Sequence, residues 1–228
     1  MDVPAAAPEP PPQAATVFGD RLGLACRFAQ LLATGATVRG LIGPRENRRL
    51  WERHLLNGAV VTDLLPPGAR VVDVGSGAGL PGIAMAIRRP DLRVDLVEPL
   101  QRRVDFLREV VQCLCLTGTV RVVRGRAEDR TTATEVGNAA WVTARAVAPM
   151  DQLVRWCLPL LHPGGQLLAI KGSTAMSEVT AHRSFIHEIG GREIAVVRCG
   201  AGVLVQPTVV VVVRRDAQVD PRRRKGQA

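Results

Sequence analysis

The chain has 228 residues, 46% hydrophobic and 22% charged, which suits one sizeable α/β domain with decorated ends. A formal net charge of +9, carried almost wholly by arginine, points to an anionic partner; guanidinium binds oxyanions in a fork, so nucleic acid stands ahead of a merely solvated basic surface. Five cysteines without a CxxC pair and four histidines without zinc spacing argue against a disulfide framework and a metal centre, and fit the reduced thiols of a cytoplasmic protein.

The opening "MDVPAAAPEPPPQAA" has neither a basic segment nor a continuous apolar core, so it is no secretory signal, and its composition predicts a disordered leader over residues 1–15. Residues 16–65 read as a helical segment. Leu50, Trp51, His54, Leu55 and Val61 recur at helical intervals, Pro44 suits a first helical turn, and "LLPPG" is a breaker. From residue 66 to 213 strands and helices alternate. Strands are expected at "RVVDV", "RVDLVE", "VRVVRG", "AAWVTAR", "GGQLLAIKG", "REIAVVRC" and "PTVVVVVRR", and helices near Pro81–Ile87, Leu100–Leu116, Pro149–Leu160 and Ala175–Ile189. This alternation predicts a doubly wound, mostly parallel sheet with helices on both faces. The last two strands leave no room for a helix between them and should form a hairpin at one edge. The run "VLVQPTVVVVV" is too short and too polar for a bilayer, so it reads as buried strand and no membrane partner is expected. Residues 214–228 read as a basic flexible tail.

The stretch "RVVDVGSGAGLPG" carries the chemistry. A loop after the first strand of such a sheet faces the ligand crevice at the strands' carboxyl ends. Gly75, Gly77 and Gly79 allow a tight bend and close approach of a ligand. The dinucleotide fingerprint would need glycine where this chain has Leu80, and no Gly-Lys-Ser/Thr follows, which excludes a Walker A loop. Alternating G-x-G-x-G is the form of S-adenosylmethionine sites. Glu98, ending the second strand, stands where a carboxylate accepts both ribose hydroxyls of an adenosine. Asp73 beside the loop favours a ligand bearing sulfonium and ammonium over a pyrophosphate. Ala127 and Glu128, after the third strand, suit an adenine ring and its polar edge. Arg102 and Arg103 could instead signal NADP, but are assigned to the outer face of a helix.

Taken together, "WERHLLNGAVV", "VDVGSGAGLPGIAMAIRRP", "EPLQRRVDFLREV", "GRAE", "TARAVAPM" and "LLAIKG" resemble the bacterial 16S ribosomal RNA guanine-N7 methyltransferases, the glucose-inhibited division protein B family, in its actinobacterial form. The resemblance runs from about Leu50 to Thr174. Pro81-Gly82 after the glycines and the upstream His-x-Leu are its specific features. It implies a class I S-adenosylmethionine-dependent methyltransferase (Rossmann-like) sheet with an N-terminal helical segment. It also implies cofactor contacts at Gly75, Leu80, Ala127, Glu128 and Arg145, with S-adenosylhomocysteine as product. The target it implies is guanine N7 in the decoding-region hairpin of 16S rRNA in the small ribosomal subunit. Ala144 stands where the family usually has serine, and Asn57-Gly58 where it has Asp-Ser.

Guanine N7 carries a lone pair and no proton, so its methylation requires alignment and no general base. Lys171 and His54 are candidates for substrate positioning, and Arg45, Arg48, Lys171 and Arg198 for RNA contact. No aromatic-rich amine-methylating motif and no proline-preceded cysteine occurs, and Trp51, Trp141 and Trp156 read as core. Three other readings stand beside this one: a small-molecule methyltransferase, a non-enzymatic ribosome-assembly factor, and an NADP oxidoreductase. A monomer is expected.

Overall fold

The structure, a computed structural model, describes residues 6–36 and 39–219, the side chains at 44 and 45 excepted. Seven strands form one sheet: β1 Arg70–Val74, β2 Arg93–Glu98, β3 Val120–Arg124, β4 Ala139–Arg145, β5 Leu161–Lys171, β6 Gly191–Cys199 and β7 Thr208–Arg215. Their order is β3-β2-β1-β4-β5-β7-β6. The first five are parallel, and β7 runs antiparallel between β5 and β6. The expected hairpin therefore exists, with its later strand tucked inside and β6 at the edge. The order reverses beside β1, so the loops after β1 and β4 flank the crevice where such sheets bind ligands.

Alternation along the strands divides the core. On one face Val71, Val94, Leu96, Leu168, Ile170 and Val210 pack with the N-terminal helices and with α4 (Gly82–Arg88) and α5 (Gln101–Cys113). On the other, Val72, Val74, Val97, Val142, Leu167 and Val211 pack with α6 (Arg130–Val136), α7 (Met150–Cys157) and α8 (Ala175–Glu188). The N-terminal layer comprises α1 (Pro12–Phe18), α2 (Leu22–Leu31), a π-helical turn Leu32–Ala36, a 3₁₀ segment Pro44–Arg49, a π-helical stretch Leu50–Leu56, α3 (Asn57–Ala59) and a 3₁₀ turn Val60–Leu64.

Four expectations change. The disordered leader is ordered from residue 6: α1 starts at Pro12, Ala14 is fully buried, and the Trp51 indole donates to the Pro8 carbonyl at 2.8 Å. Proline there pre-sets the first helical turn and alanines slip under the layer, so a composition typical of disorder packs well. Residues 1–5 and 220–228 of the expected leader and tail lie outside the described residues. Second, α6 was not expected, because its "RTTATEV" is rich in β-branched residues with low helix propensity. Third, α5 stops at Cys113; Cys115 sits beyond it at φ +54, and both cysteines are exposed. Fourth, only Thr208 onward of "VLVQPTVVVVV" is strand. Gly200 and Gly202 take positive φ and Pro207 has no N–H to pair, leaving Val205 82% exposed in the turn.

Near the outer edge, pairing between β6 and β7 slips between Arg192 and Ala195, and Glu193 there takes φ +46. No helix among the described residues is long and apolar enough to cross a membrane.

Phe106 of α5 is 1% exposed, touches Gly35 of the N-terminal layer, and lies under the Arg39 guanidinium. Phe106→Ala should cost about 3–5 kcal/mol in urea unfolding, since the cavity opens between two layers that cannot both collapse.

Candidate cofactor and substrate site

β1 ends in a carboxylate that the fold removes entirely from water. Asp73 follows Val71 by two residues, so it points to the face covered by the N-terminal layer and α4. Its Oδ2 accepts from the Gly82 N–H at 3.1 Å, at the start of α4. Its Oδ1 is buried with no partner among the described residues. Burial, only partly opposed by the Gly82 hydrogen bond, pushes the carboxyl up to about 7.

The three glycines of the loop are needed for different reasons. All take positive φ, at +69, +58 and +93 for Gly75, Gly77 and Gly79. A Cβ on Gly75 would lie 2.7 Å from a Val147 methyl, and one on Gly79 would lie 2.4 Å from Ile83 Cδ1. Those two are fixed by protein packing. A Cβ on Gly77 would meet nothing nearer than the Gly75 carbonyl at 3.8 Å, so its bare side faces open space. Leu80 is buried, and Pro81 is met closely by Gly58, whose Cβ would lie 3.0 Å from Pro81 Cβ. The glycine at position 58 thus lets the N-terminal layer press directly on the loop.

Glu98 lies beside this loop. Its side chain is 1% exposed; Oε2 accepts from the Gly77 N–H at 3.0 Å and Oε1 from the Leu100 N–H at 3.0 Å. Arg103 approaches Oε2 at 3.7 Å, so this arginine turns toward the acid and away from the outer helix face expected for it. A carboxylate oxygen accepts more than one hydrogen bond, so Glu98 shapes the loop and retains acceptor capacity. Ala127 is buried against Val97 and Val123, and Glu128 beside it is exposed.

The end of β4 brings Arg145 to the same face as Asp73. Its Nη1 donates to the Arg53 carbonyl at 2.8 Å, tying the sheet to the π-helical stretch Leu50–Leu56. Burial lowers the guanidinium's pKa, and the Asp73 charge opposes that shift. His54 follows Arg53 directly. Its Nε2 lies 2.9 Å from Glu46 Oε2, and its Nδ1 is buried without a partner among the described residues. Burial, with the Arg145 charge adding to it, lowers the imidazole to about 4, so it is neutral at pH 7.

The candidates thus fall into two groups. Asp73, Gly75, Gly77, Gly79, Leu80 and Glu98 are brought together at the loop after β1, Arg145 lies on the same sheet face and bonds the residue beside His54, and Ala127 and Glu128 follow β3. Lys171 points to the opposite sheet face, where its Nζ donates to Glu178 Oε2 at 2.8 Å and to the Ala148 carbonyl at 3.0 Å. It braces the loop after β4 rather than reaching freely into the crevice. Arg198, exposed on β6, shares that opposite face, and Arg48 is exposed on the 3₁₀ segment Pro44–Arg49; the Arg45 side chain lies outside the described residues. The residue missed in the sequence is Glu46, which no local pattern links to His54; Gly82, read there only as part of the Pro-Gly pair, proves to be packed against Asp73, where an added Cβ would lie 2.7 Å from Asp73 Oδ2. No group of three or more potential metal ligands occurs among the described residues.

The residues fit S-adenosylmethionine. An unpartnered buried carboxylate oxygen suits a cationic group, the open side of Gly77 provides a cradle that any Cβ would begin to fill, and Glu98 supplies acceptors beside it. A pyrophosphate would meet two buried acids.

The raised Asp73 pKa has a definite sign. A carboxyl harder to ionise when folded contributes stability that is complete below its unfolded value near 3.8 and lost as pH rises through about 7. Asp73→Asn retains an acceptor for Gly82, so its stability relative to wild type should rise between pH 4 and 7, as read by thermal melts of the ligand-free protein. A flat difference would contradict this burial cost. Gly79→Ala should destabilise by about 1–3 kcal/mol through overpacking, whereas Gly77→Asp should stay within about 1 kcal/mol, because Asp tolerates this left-handed conformation in open space.

Comparison with known proteins bears on the fold and the family. The chain is 53% identical over 223 residues to ribosomal RNA small subunit methyltransferase G of Salinispora tropica, covering 95% of this chain and 92% of that one. It is 53% identical over 211 residues to the protein of the same name from Mycobacterium marinum, covering 92% of each. Among solved structures it resembles the S-adenosylmethionine-dependent methyltransferase SibL, with a TM-score of 0.59 at 18% identity over 90% of this chain and 70% of that one. It also resembles fibrillarin of Aeropyrum pernix, solved with natively bound S-adenosyl-L-methionine, with a TM-score of 0.50 at 17% identity over 69% and 73%. These two likenesses establish the class I methyltransferase fold. The family model for rRNA small subunit methyltransferase G matches residues 22–207, well beyond the stretch that carried the resemblance, and the chain belongs to that family.

Proposed function

We propose that this protein methylates N7 of a guanine in the 16S rRNA of the small ribosomal subunit, using S-adenosylmethionine. The observation that carries the cofactor half is the unpartnered Asp73 oxygen on the sheet face beside the glycine loop with its open Gly77 side. The target half draws on the relatives, whose name specifies small-subunit rRNA, and on the net charge of +9.

When bound, S-adenosylmethionine supplies a methyl group on a sulfonium leaving group. Asp73, Gly75, Gly77, Gly79, Leu80, Glu98, Ala127, Glu128 and Arg145 are the residues assigned to hold it. The chain's own task is then orientation. The N7 lone pair needs no base, and fixing two reactants in line accounts for effective molarities of about 10⁵–10⁸ M in favourable cases. No acid–base pair is assigned. Arg48 and Arg198 are exposed without an ion pair among the described residues, and they are assigned to phosphate contact. The Lys171–Glu178 pair supports a bracing role for Lys171 in place of the RNA contact expected from sequence.

The test is direct. Purified protein, S-adenosylmethionine and small subunits from a strain lacking this activity should yield one new 7-methylguanosine in 16S rRNA by nuclease digestion and mass spectrometry. Methylation elsewhere on the base would overturn the N7 assignment, and no transfer would overturn the enzymatic one. Gly77→Asp should remain folded and bind S-adenosylmethionine at least about tenfold more weakly by calorimetry, a loss of about 1.4 kcal/mol. Unchanged affinity would show that the open side of Gly77 is not the cradle.

A further inference from the structure

Two buried acceptors within reach of the Arg145 charge lack donors among the described residues. One is Asp73 Oδ1, at the crevice; the other is His54 Nδ1, in the N-terminal layer. The charge of Arg145 acts on both groups. Only one of its N–H groups is engaged among the described residues, and it grips the carbonyl of Arg53, the residue beside His54. A guanidinium has five donors in a planar fork, so most of this one's capacity is uncommitted where acceptors lack partners.

The form of His54 follows from its neighbour. The Glu46 carboxylate can only accept, so the imidazole proton sits on Nε2 and the lone pair on Nδ1. Its side chain is 13% exposed, against 33% for Glu46, so Glu46 holds the ring from the solvent side and Nδ1 is turned inward. Arg53 reaches the other Glu46 oxygen at 3.3 Å, so Glu46, His54 and Arg53 form one polar cluster that meets Arg145 at the Arg53 carbonyl.

We propose that His54, held by Glu46, is a positioning residue of the cofactor site that acts through Arg145. A neutral imidazole keeps its free lone pair on the inward side and adds no second charge beside the guanidinium, which the Asp73 charge favours. A second cation there would drive Arg145 away, and an apolar residue would leave it without a lateral restraint. This inference rests on the cofactor reading above, since Arg145 is assigned to the cofactor only there.

The variants are His54→Ala, His54→Asn and Glu46→Ala, studied in the full chain. Asn places a side-chain oxygen where His carries Nδ1. His54→Ala should raise both the Kd and the KM for S-adenosylmethionine about tenfold, with the KM for the small subunit within twofold of wild type. His54→Asn should recover most of that loss, and Glu46→Ala, at a partly exposed position, should give a smaller loss of the same kind. A role in packing alone predicts lowered melting temperatures for Ala and Asn alike, with cofactor affinity unchanged. Cofactor affinity within twofold of wild type in Glu46→Ala and His54→Ala overturns the proposal, as does an Asn variant no better than Ala. Should His54→Ala not fold, the Asn and Glu46→Ala measurements decide on the same criteria. A wild-type chain that binds no S-adenosylmethionine overturns the cofactor reading, and this inference with it; binding by wild type with unaffected variants overturns this inference alone.

Discussion

A single carboxylate, removed from water at the end of β1, sets the terms for the rest of the crevice. One Asp73 oxygen receives the first amide of α4 and so fixes where that helix starts. The other receives nothing from the described protein, in a place where an unpaired polar group is expensive. The glycine loop between β1 and α4 has to arch over this acid, and Glu98 holds the arch from the neighbouring strand through the Gly77 N–H. Loop, helix start and second acid therefore form one unit around an acid whose second oxygen accepts no hydrogen bond from the described residues.

The N-terminal layer is the second part of that unit. It meets the crevice at two points: Gly58 against Pro81, and the Arg53 carbonyl against Arg145. The first contact exists because position 58 has no side chain. The irregular run of 3₁₀ and π turns from Pro44 to Leu64 lets Leu50, Trp51 and Leu55 stay buried while the Arg53 carbonyl faces the sheet.

Strands were readable from sequence because nearly every one is an apolar run bounded by charge or glycine, and burial on both faces demands that pattern. The acids at the ends of β1 and β2 and the spacing of the glycines were readable for the same reason, since each has a local backbone cause. What was hidden depends on distant contacts. The helix "RTTATEV" forms against its intrinsic preference because Val136 is wholly buried in the second apolar cluster. The proline-rich start orders because it caps Trp51. Lys171 looked crevice-facing by its place at a strand end. Counting the alternation from Ile170 puts it on the other face, where Glu178 from α8 claims it. The pairing of His54 with Glu46 has no signature at all, since it joins two non-standard helical turns.

The outer strands carry a further consequence. Exposed backbone at a sheet's margins invites strand addition by another chain. Here β3 carries exposed Arg121 and Arg124, and β6 carries Arg192, exposed Glu193 and exposed Arg198, with a slipped register and a left-handed residue interrupting its pairing. Both margins are therefore charged, and one is also bent. Charged, interrupted margins of this kind make poor templates for pairing with a second copy of the chain.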